Sequence, residues 1–218
     1  MKKNYSDLIK LQKEMRKLVT EKLLNKKVRF IGGADVSTTK FSKIGFGGIV
    51  VLDLENKLEF VDSSVVSDEI EIPYIPGLLG FREVPILLKA YSKLKIKPDL
   101  IIVDGQGKIH PRGFGLACHL GVELNCPTIG CAKSHLCGSF EQPPKIRGSK
   151  TPIILKEEIV GYALITKDNV NPVFVSVGNL ITLEESVKII LNTSPEYRLP
   201  EPIRKAHRIV NEIRSLHF

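Results

Sequence analysis

Residues 99–105 read DLIIVDG. Four aliphatic residues run without interruption between two aspartates, and the second aspartate precedes a glycine. Such a run describes a strand buried on both faces, because a strand with one wet face alternates apolar and polar residues. Upstream lie three β-rich runs separated by short turns, VRFIGGADVSTT (28–39), FGGIVVLDL (46–54) and LEFVDSSVV (58–66). They read as an antiparallel meander. A helix through EVPILLKAYSKL (83–94) connects the meander to the buried strand. Pro85 is acceptable in that helix if it lies in the first turn, which places Glu83 at the helix N-terminal end. Downstream come a helix in GFGLACHLGVEL (113–124), a second buried strand in PTIGCAKS (127–134) and a polar loop, FEQPPKIRGSKTP (140–152). Two further strands follow in IVGYALIT (159–166) and PVFVSVGN (172–179), then helices in TLEESVKIILN (182–192) and EPIRKAHRIVNEIR (201–214). Three sequential strands followed by strand–helix alternation imply an α/β protein, a mixed β-sheet flanked by helices on both faces. No internal repeat or low-complexity linker divides the chain, so residues 1–218 are expected to form one domain.

The composition narrows the partners. The formal net charge is +8, which favours a polyanion, nucleic acid first. No apolar run approaches the roughly 18 residues that a bilayer-spanning helix requires. The first 27 residues alternate charge and aliphatic side chains without a cleavage pattern, so they do not read as a signal peptide. Leu8, Leu11, Met15 and Leu18 recur every three or four residues, one stripe of an amphipathic helix. That stripe suits packing on a sheet; lying on a membrane is the alternative. Cys118, Cys126, Cys131 and Cys137 form no CxxC pair and read as reduced thiols of a cytoplasmic protein. His119 and His135 stand near them, but the spacings are irregular for a zinc site.

Asp35 and Asp104 each end or interrupt a strongly apolar strand, FIGGAD and LIIVD. An ionised carboxylate in such a place needs a hydrogen-bonded partner, a cation or a metal. Either one alone has an ordinary alternative, capping a turn. Two of them on neighbouring strands would meet at one sheet edge, where oxygen ligands suit Mg²⁺ or Mn²⁺. Glu83 has its own ordinary role, a carboxylate favoured by a helix dipole. His207 shares helical spacing with Ile203, Val210 and Ile213, which puts it on the inward face of the last helix, where a lone histidine is usually a core residue. DGQGKIHPRGFG (104–115) sets four glycines among Lys108, His110 and Arg112, a loop that allows close backbone approach and carries cations for phosphate. It has neither the Walker A nor the dinucleotide-binding spacing. Lys133 ends the next strand and is in reach of the same edge, with a plain surface lysine as the alternative. PYIPGLLGFRE (73–83) holds Tyr74 between two prolines, a stiff non-helical projection.

Taken together, GGADVS, PYIPGLLGFRE, VDGQGKIHPRGFGLACHLGV, PTIGCAKS and LPEPIRKAHR resemble the endonuclease V family of deoxyinosine-specific repair nucleases, in the family's order and over nearly the whole chain. The resemblance implies an RNase H-like fold with a metal-dependent carboxylate site. Asp35, Asp104 and Glu83 match the family's metal-binding acids, Lys133 its lysine near the scissile phosphate and His207 its C-terminal histidine near the metal. Tyr74 matches the wedge residue that enters the helix beside the lesion, and His110 a position of the glycine-rich loop. Pro76, Gly77, Leu79, Arg82 and Gly105 fall in the elements that read the flipped base. The implied cofactor is Mg²⁺, with Mn²⁺ as a substitute. The implied partner is DNA containing deoxyinosine, with single-stranded DNA or RNA as further substrates, no membrane, and a monomer as the working unit. The family nicks the second phosphodiester bond 3′ of the lesion, leaving 3′-hydroxyl and 5′-phosphate ends. Cys131 replaces a more usual valine, and SHLCG after Lys133 departs from the family pattern in a loop. An inosine-directed ribonuclease, a non-catalytic lesion-binding protein and a nuclease for branched DNA are the competing readings.

Overall fold

The structure, a computed structural model, describes residues 5–38 and 43–217. Thr39, the end of the first expected strand run, lies outside the described residues. Those residues form one sheet of eight strands: β1 (Phe30–Thr38), β2 (Ile44–Asp53), β3 (Glu59–Glu69), β4 (Leu100–Val103), β5 (Thr128–Ala132), β6 (Lys150–Leu155), β7 (Glu158–Leu164) and β8 (Val173–Asn179). Their order across the sheet is β3-β2-β1-β4-β5-β8-β7-β6. β1 to β3 are the expected antiparallel meander, and β4 pairs in parallel with β1 on one side and β5 on the other.

Five helices complete the described fold: α1 (Tyr5–Arg16), α2 (Leu79–Lys93), α3 (Leu116–Leu124), α4 (Leu183–Asn192) and α5 (Glu201–Ser215). On one face Leu100 and Ile102 of β4 join a core with Ile190 of α4 and Ile203 of α5. On the other, Ile101 and Val103 pack with Leu87 of α2 and Leu120 of α3. Helices therefore cover both faces, and the unbroken LIIV run is explained: successive side chains enter two different cores. The fold is the RNase H-like one expected.

Three local expectations are corrected. The polar segment 140–152 is not loop to its end, because β6 begins at Lys150 and carries Pro152 within it. Proline is tolerated there because β6 is an edge strand, where a missing donor breaks no ladder bond on the solvent side. α2 begins at Leu79, so Pro85 sits in its second turn and Glu83 in the helix body, away from the helix N-terminus. Finally, α1 does not bury its aliphatic stripe on the sheet: Leu11 is 48% exposed, Leu8 and Met15 are half-buried, and the buried residue of the helix is Gln12. The helix is held against the glycine-rich loop by polar contacts rather than against the sheet by apolar ones.

Candidate active site

Backbone pairing assembles the acidic pair. In the parallel register Ala34 faces Val103, the last residue of β4, so Asp35, within β1, and Asp104, one residue past β4, stand side by side where β1 runs on beyond the end of β4. The Asp104 amide donates to the Ala34 carbonyl at 2.9 Å, tying the end of β4 to the middle of β1. β5 runs parallel to β4, and Lys133, one residue beyond it, reaches the same corner with its Nζ 2.5 Å from an Asp104 oxygen.

His207 arrives from the opposite face of the sheet. α5 crosses so close to β1 that a Cβ built on Gly33 would lie 2.0 Å from the Pro202 carbonyl oxygen. No side chain fits there, so glycine at 33 is a condition for this helix position. Ile203, Ala206 and Val210 are fully buried beneath the helix. Burial of each of the two larger ones contributes roughly 1.5–3 kcal/mol, enough to hold α5 in place. His207 is not on this buried stripe. Its side chain is 54% exposed at the flank, and its Nδ1 lies 2.8 Å from an Asp35 oxygen. The inward placement expected from spacing is corrected by one helical step: Ala206 faces the core and His207 faces Asp35.

Asp35, Asp104 and His207 each present one ligand atom, all within 4.8 Å of one another. Among the described residues this is the group of three or more metal-competent side chains that the fold brings together. Glu83, on α2, stands outside that set of three but shares its electrostatic field. Burial, then the Asp35 carboxylate and more weakly Asp104, push Glu83 up to about 8, with Arg82 acting in the opposite sense. Asp35 is raised as well, first by burial and then by Asp104, and these outweigh the lowering by His207 and Lys133. Acids that resist ionising because other acids crowd them in a desolvated corner make a site in need of positive charge. Two carboxylates with a third in their field form a hard oxygen donor set that fits a divalent cation, with one borderline imidazole donor beside them. The four cysteines are free thiols and take no part in it; burial pushes Cys118 and Cys126 up to about 12.

Tyr74 stands on the segment before α2 and is 68% exposed, an unusual state for a large aromatic flanked by prolines. Behind it, Ile75, Pro76, Gly77 and Leu78 make a turn in which the Leu78 amide donates to the Ile75 carbonyl at 2.9 Å and Gly77 has φ +80. Proline then glycine with positive φ is the type II pattern, which other residues adopt only with strain. Leu79 opens α2, and the Arg82 guanidinium donates to the Ile72 carbonyl at 2.9 Å, closing the base of the projection. Gly105 follows Asp104 directly, against Leu116. The basic side chains of the glycine-rich loop already have partners or are buried: Lys108 pairs with Glu21 at the surface, His110 is buried, and Arg112 donates to the Gly77 carbonyl at 2.6 Å.

Sequence reasoning missed several supports. Gln12 was hidden inside an apparent apolar stripe. Arg198 donates to the Lys133 carbonyl at 2.6 Å and the Pro172 carbonyl at 2.8 Å, anchoring the strand end that carries Lys133. His119 is buried against the rings of Phe81 and Phe114, with centroids 4.8 and 5.5 Å away, and steadies the first turn of α2. Nothing in the sequence around Arg198 signals its role; its contacts span 65 positions of chain.

Comparison with known proteins places this geometry. The endonuclease V family model matches residues 12–208. Endonuclease V of Dictyoglomus thermophilum is 50% identical over 203 residues, 93% of this chain and 88% of the relative. The crystal structure of endonuclease V from Streptomyces avermitilis superposes with a TM-score of 0.93 at 36% identity, covering 98% of this chain and 94% of that one. A Ciona intestinalis endonuclease V, crystallised with a 24-mer DNA containing an inosine followed by a ribo-adenosine, matches with a TM-score of 0.86 at 28% identity, over 98% of this chain and 99% of that one.

Proposed function

This chain belongs to the endonuclease V family, and we propose that it is a Mg²⁺-dependent repair nuclease that recognises deoxyinosine in DNA and nicks the second phosphodiester bond 3′ of it, leaving 3′-hydroxyl and 5′-phosphate ends. The observation that carries the reading is the convergence of Asp35, Asp104 and His207, distant in sequence, with ligand atoms within 4.8 Å of one another. The inosine-containing DNA in the Ciona complex supports the choice of substrate.

Asp35, Asp104 and Glu83 hold the cation in this reading, with His207 beside them. Mn²⁺ is a competent substitute for the same oxygen-rich set. Held by these carboxylates, a divalent ion would supply Lewis-acid chemistry for hydrolysis of the phosphodiester. His207 orients the Asp35 carboxylate through the 2.8 Å contact. Glu83, which its crowded surroundings keep protonated, would have to give that proton up to solvent to serve as a ligand. Lys133, held to Asp104 in the free protein, carries the positive charge that offsets charge developing on the phosphoryl oxygens.

Recognition rests on the projection. Hypoxanthine pairs weakly, so unstacking it costs less than unstacking a normal base, a matter of about a few kcal/mol. The Tyr74 ring fills the vacated space, and stacking on it contributes about 1–3 kcal/mol. The flipped base is read by backbone groups around Gly77, Leu79 and Gly105, with Pro76, Arg82 and His110 supporting that framework. The ribo-adenosine beside the inosine in the Ciona complex keeps an RNA-directed activity as the second reading.

The test is strand cleavage of matched DNA and RNA duplexes carrying one inosine, with Mg²⁺, with Mn²⁺ and with a chelator. Metal-dependent nicking of the DNA two bonds 3′ of inosine supports the proposal. Preference for RNA overturns the repair assignment, equal cutting of undamaged duplex overturns lesion recognition, and a band shift without nicking in either metal overturns catalysis.

A further inference from the structure

Gln12 occupies a position that its helix does not explain. α1 exposes most of its side chains, yet Gln12 is 3% exposed. A buried amide is costly unless its hydrogen bonds are met. Here they are: Nε2 donates to the Gly77 carbonyl at 2.9 Å and to the Phe114 carbonyl at 2.9 Å, and Oε1 accepts from Arg112 Nε. Arg112 Nη2 then donates to the same Gly77 carbonyl at 2.6 Å. Two side chains from two remote segments thus converge on one carbonyl, the exit of the turn that follows Tyr74. The fit is close, since a Cβ built on Gly77 would lie 2.4 Å from Arg112 Nη2.

We propose that Gln12, acting through Arg112 and the Gly77 carbonyl, is a positioning residue that sets the turn directly after Tyr74, and with it the base of the projection, before DNA arrives. The inference rests on the lesion-recognition reading above and deepens it. A peptide plane held by donors on its carbonyl cannot rotate without breaking both bonds. The turn that follows Tyr74 is therefore ordered in the free protein, and less conformational freedom remains to be lost on binding. Gln12 touches neither the acidic cluster nor Tyr74 in any described contact, so its effect belongs to binding rather than to the chemical step.

The test replaces the amide with a side chain of similar length and no donors, Gln12→Met, in the full chain. Expected are an increase of about tenfold in KM for the inosine duplex with kcat within about twofold, and faster hydrogen exchange at the Leu78 amide in the free protein. In a double-mutant cycle, Gln12→Met added to Tyr74→Ala should cost little further affinity, because both act on one element. Full additivity, a fall in kcat with KM unmoved, or unchanged exchange at Leu78 overturns the inference. Should Gln12→Met fail to fold, Arg112→Lys shortens the second donor to the same carbonyl, and the same readouts decide. If the unaltered protein shows no preference for inosine, the lesion reading falls, while exchange at Leu78 still decides whether Gln12 orders the turn.

Discussion

The His207 imidazole lies 2.8 Å from the Asp35 carboxylate, across 172 positions of sequence, and the contact holds at its two ends a helix and a strand that meet through Gly33. Asp35 is nearly buried while His207 is half open to solvent, so one partner fixes the donor atom and the other meets incoming ligand. Substituting Asp35→Asn should lower nicking of inosine duplex by at least roughly a hundredfold, the scale of losing one preorganised electrostatic group. Affinity for the duplex should stay within a few fold of the unaltered protein. His207→Ala should leave measurable cleavage but raise the metal concentration required by about 10–100-fold, as expected for loss of a group that orients a ligand. Single-turnover nicking across a metal titration separates the two outcomes; near-normal cleavage by Asp35→Asn would remove the cluster from the mechanism.

Glu83 makes the metal-free protein sensitive to base. Its folded value of about 8 lies above the ordinary 4.5, chiefly through burial and then Asp35. Between those values the folded protein holds a proton that the unfolded chain has released, so stability is present below pH 4.5 and is lost as pH rises towards 8. Thermal melts in chelator should therefore fall between pH 6.5 and 8, above the range in which the buried histidines act in the opposite direction, and Glu83→Gln should flatten the fall. Added Mg²⁺ should raise the melting temperature more at the alkaline end, because cation binding requires the carboxylates deprotonated. A melting temperature independent of pH between 6.5 and 8 in the metal-free protein contradicts this.

Tyr74 tests recognition apart from chemistry. Tyr74→Ala should weaken binding to inosine duplex by about 5- to 150-fold, the equivalent of the 1–3 kcal/mol that base stacking on an aromatic contributes. Binding to undamaged duplex should change much less. Competition binding in the presence of Ca²⁺ or chelator, where no cleavage intervenes, gives the ratio directly. Equal losses on both duplexes would make Tyr74 a general contact rather than a wedge.

The two buried histidines act in the opposite pH direction from Glu83. Burial lowers His119 to about 4, and burial with the nearby Arg112 charge lowers His110 to about 4, both from an ordinary 6.5. Between pH 6.5 and 4 the unfolded chain binds protons that the folded protein excludes, so stability falls as pH falls through that window. Replacing His119 with Gln should reduce the acid-side slope of stability by about one proton. Denaturant melts at a series of pH values measure that slope, and an unaltered slope would show that His119 is already protonated in the fold.

The local grammar of this chain was readable from its residues. DLIIVDG announced a strand buried on two faces because each side chain had to enter a core, and β4 does so through Leu100 and Ile102 on one side and Ile101 and Val103 on the other. The meander, the proline-stiffened projection and the acids at the ends of apolar runs were equally local, since each is a statement about neighbours within a few positions. Periodicity failed where polar bonding overrode it. Gln12 rather than the leucines docks α1, and Ala206 rather than His207 faces the core. Pro152 disguised an edge strand because its cost depends on having no neighbouring strand on one side, where only Ser139 bridges to Ile154, and only the strand order decides that.

By itself, then, the sequence determined which side chains stand at strand ends and which stretches are stiff, because hydrophobic pattern, proline and glycine act over short chain distances. Only the tertiary structure decided that Asp35, Asp104 and His207 share one corner, that Glu83 resists ionising beside them, and that Gln12 and Arg112 meet on one carbonyl. Electrostatic fields and hydrogen bonds depend on separations in space, and those are set by strand register and helix packing rather than by position along the chain.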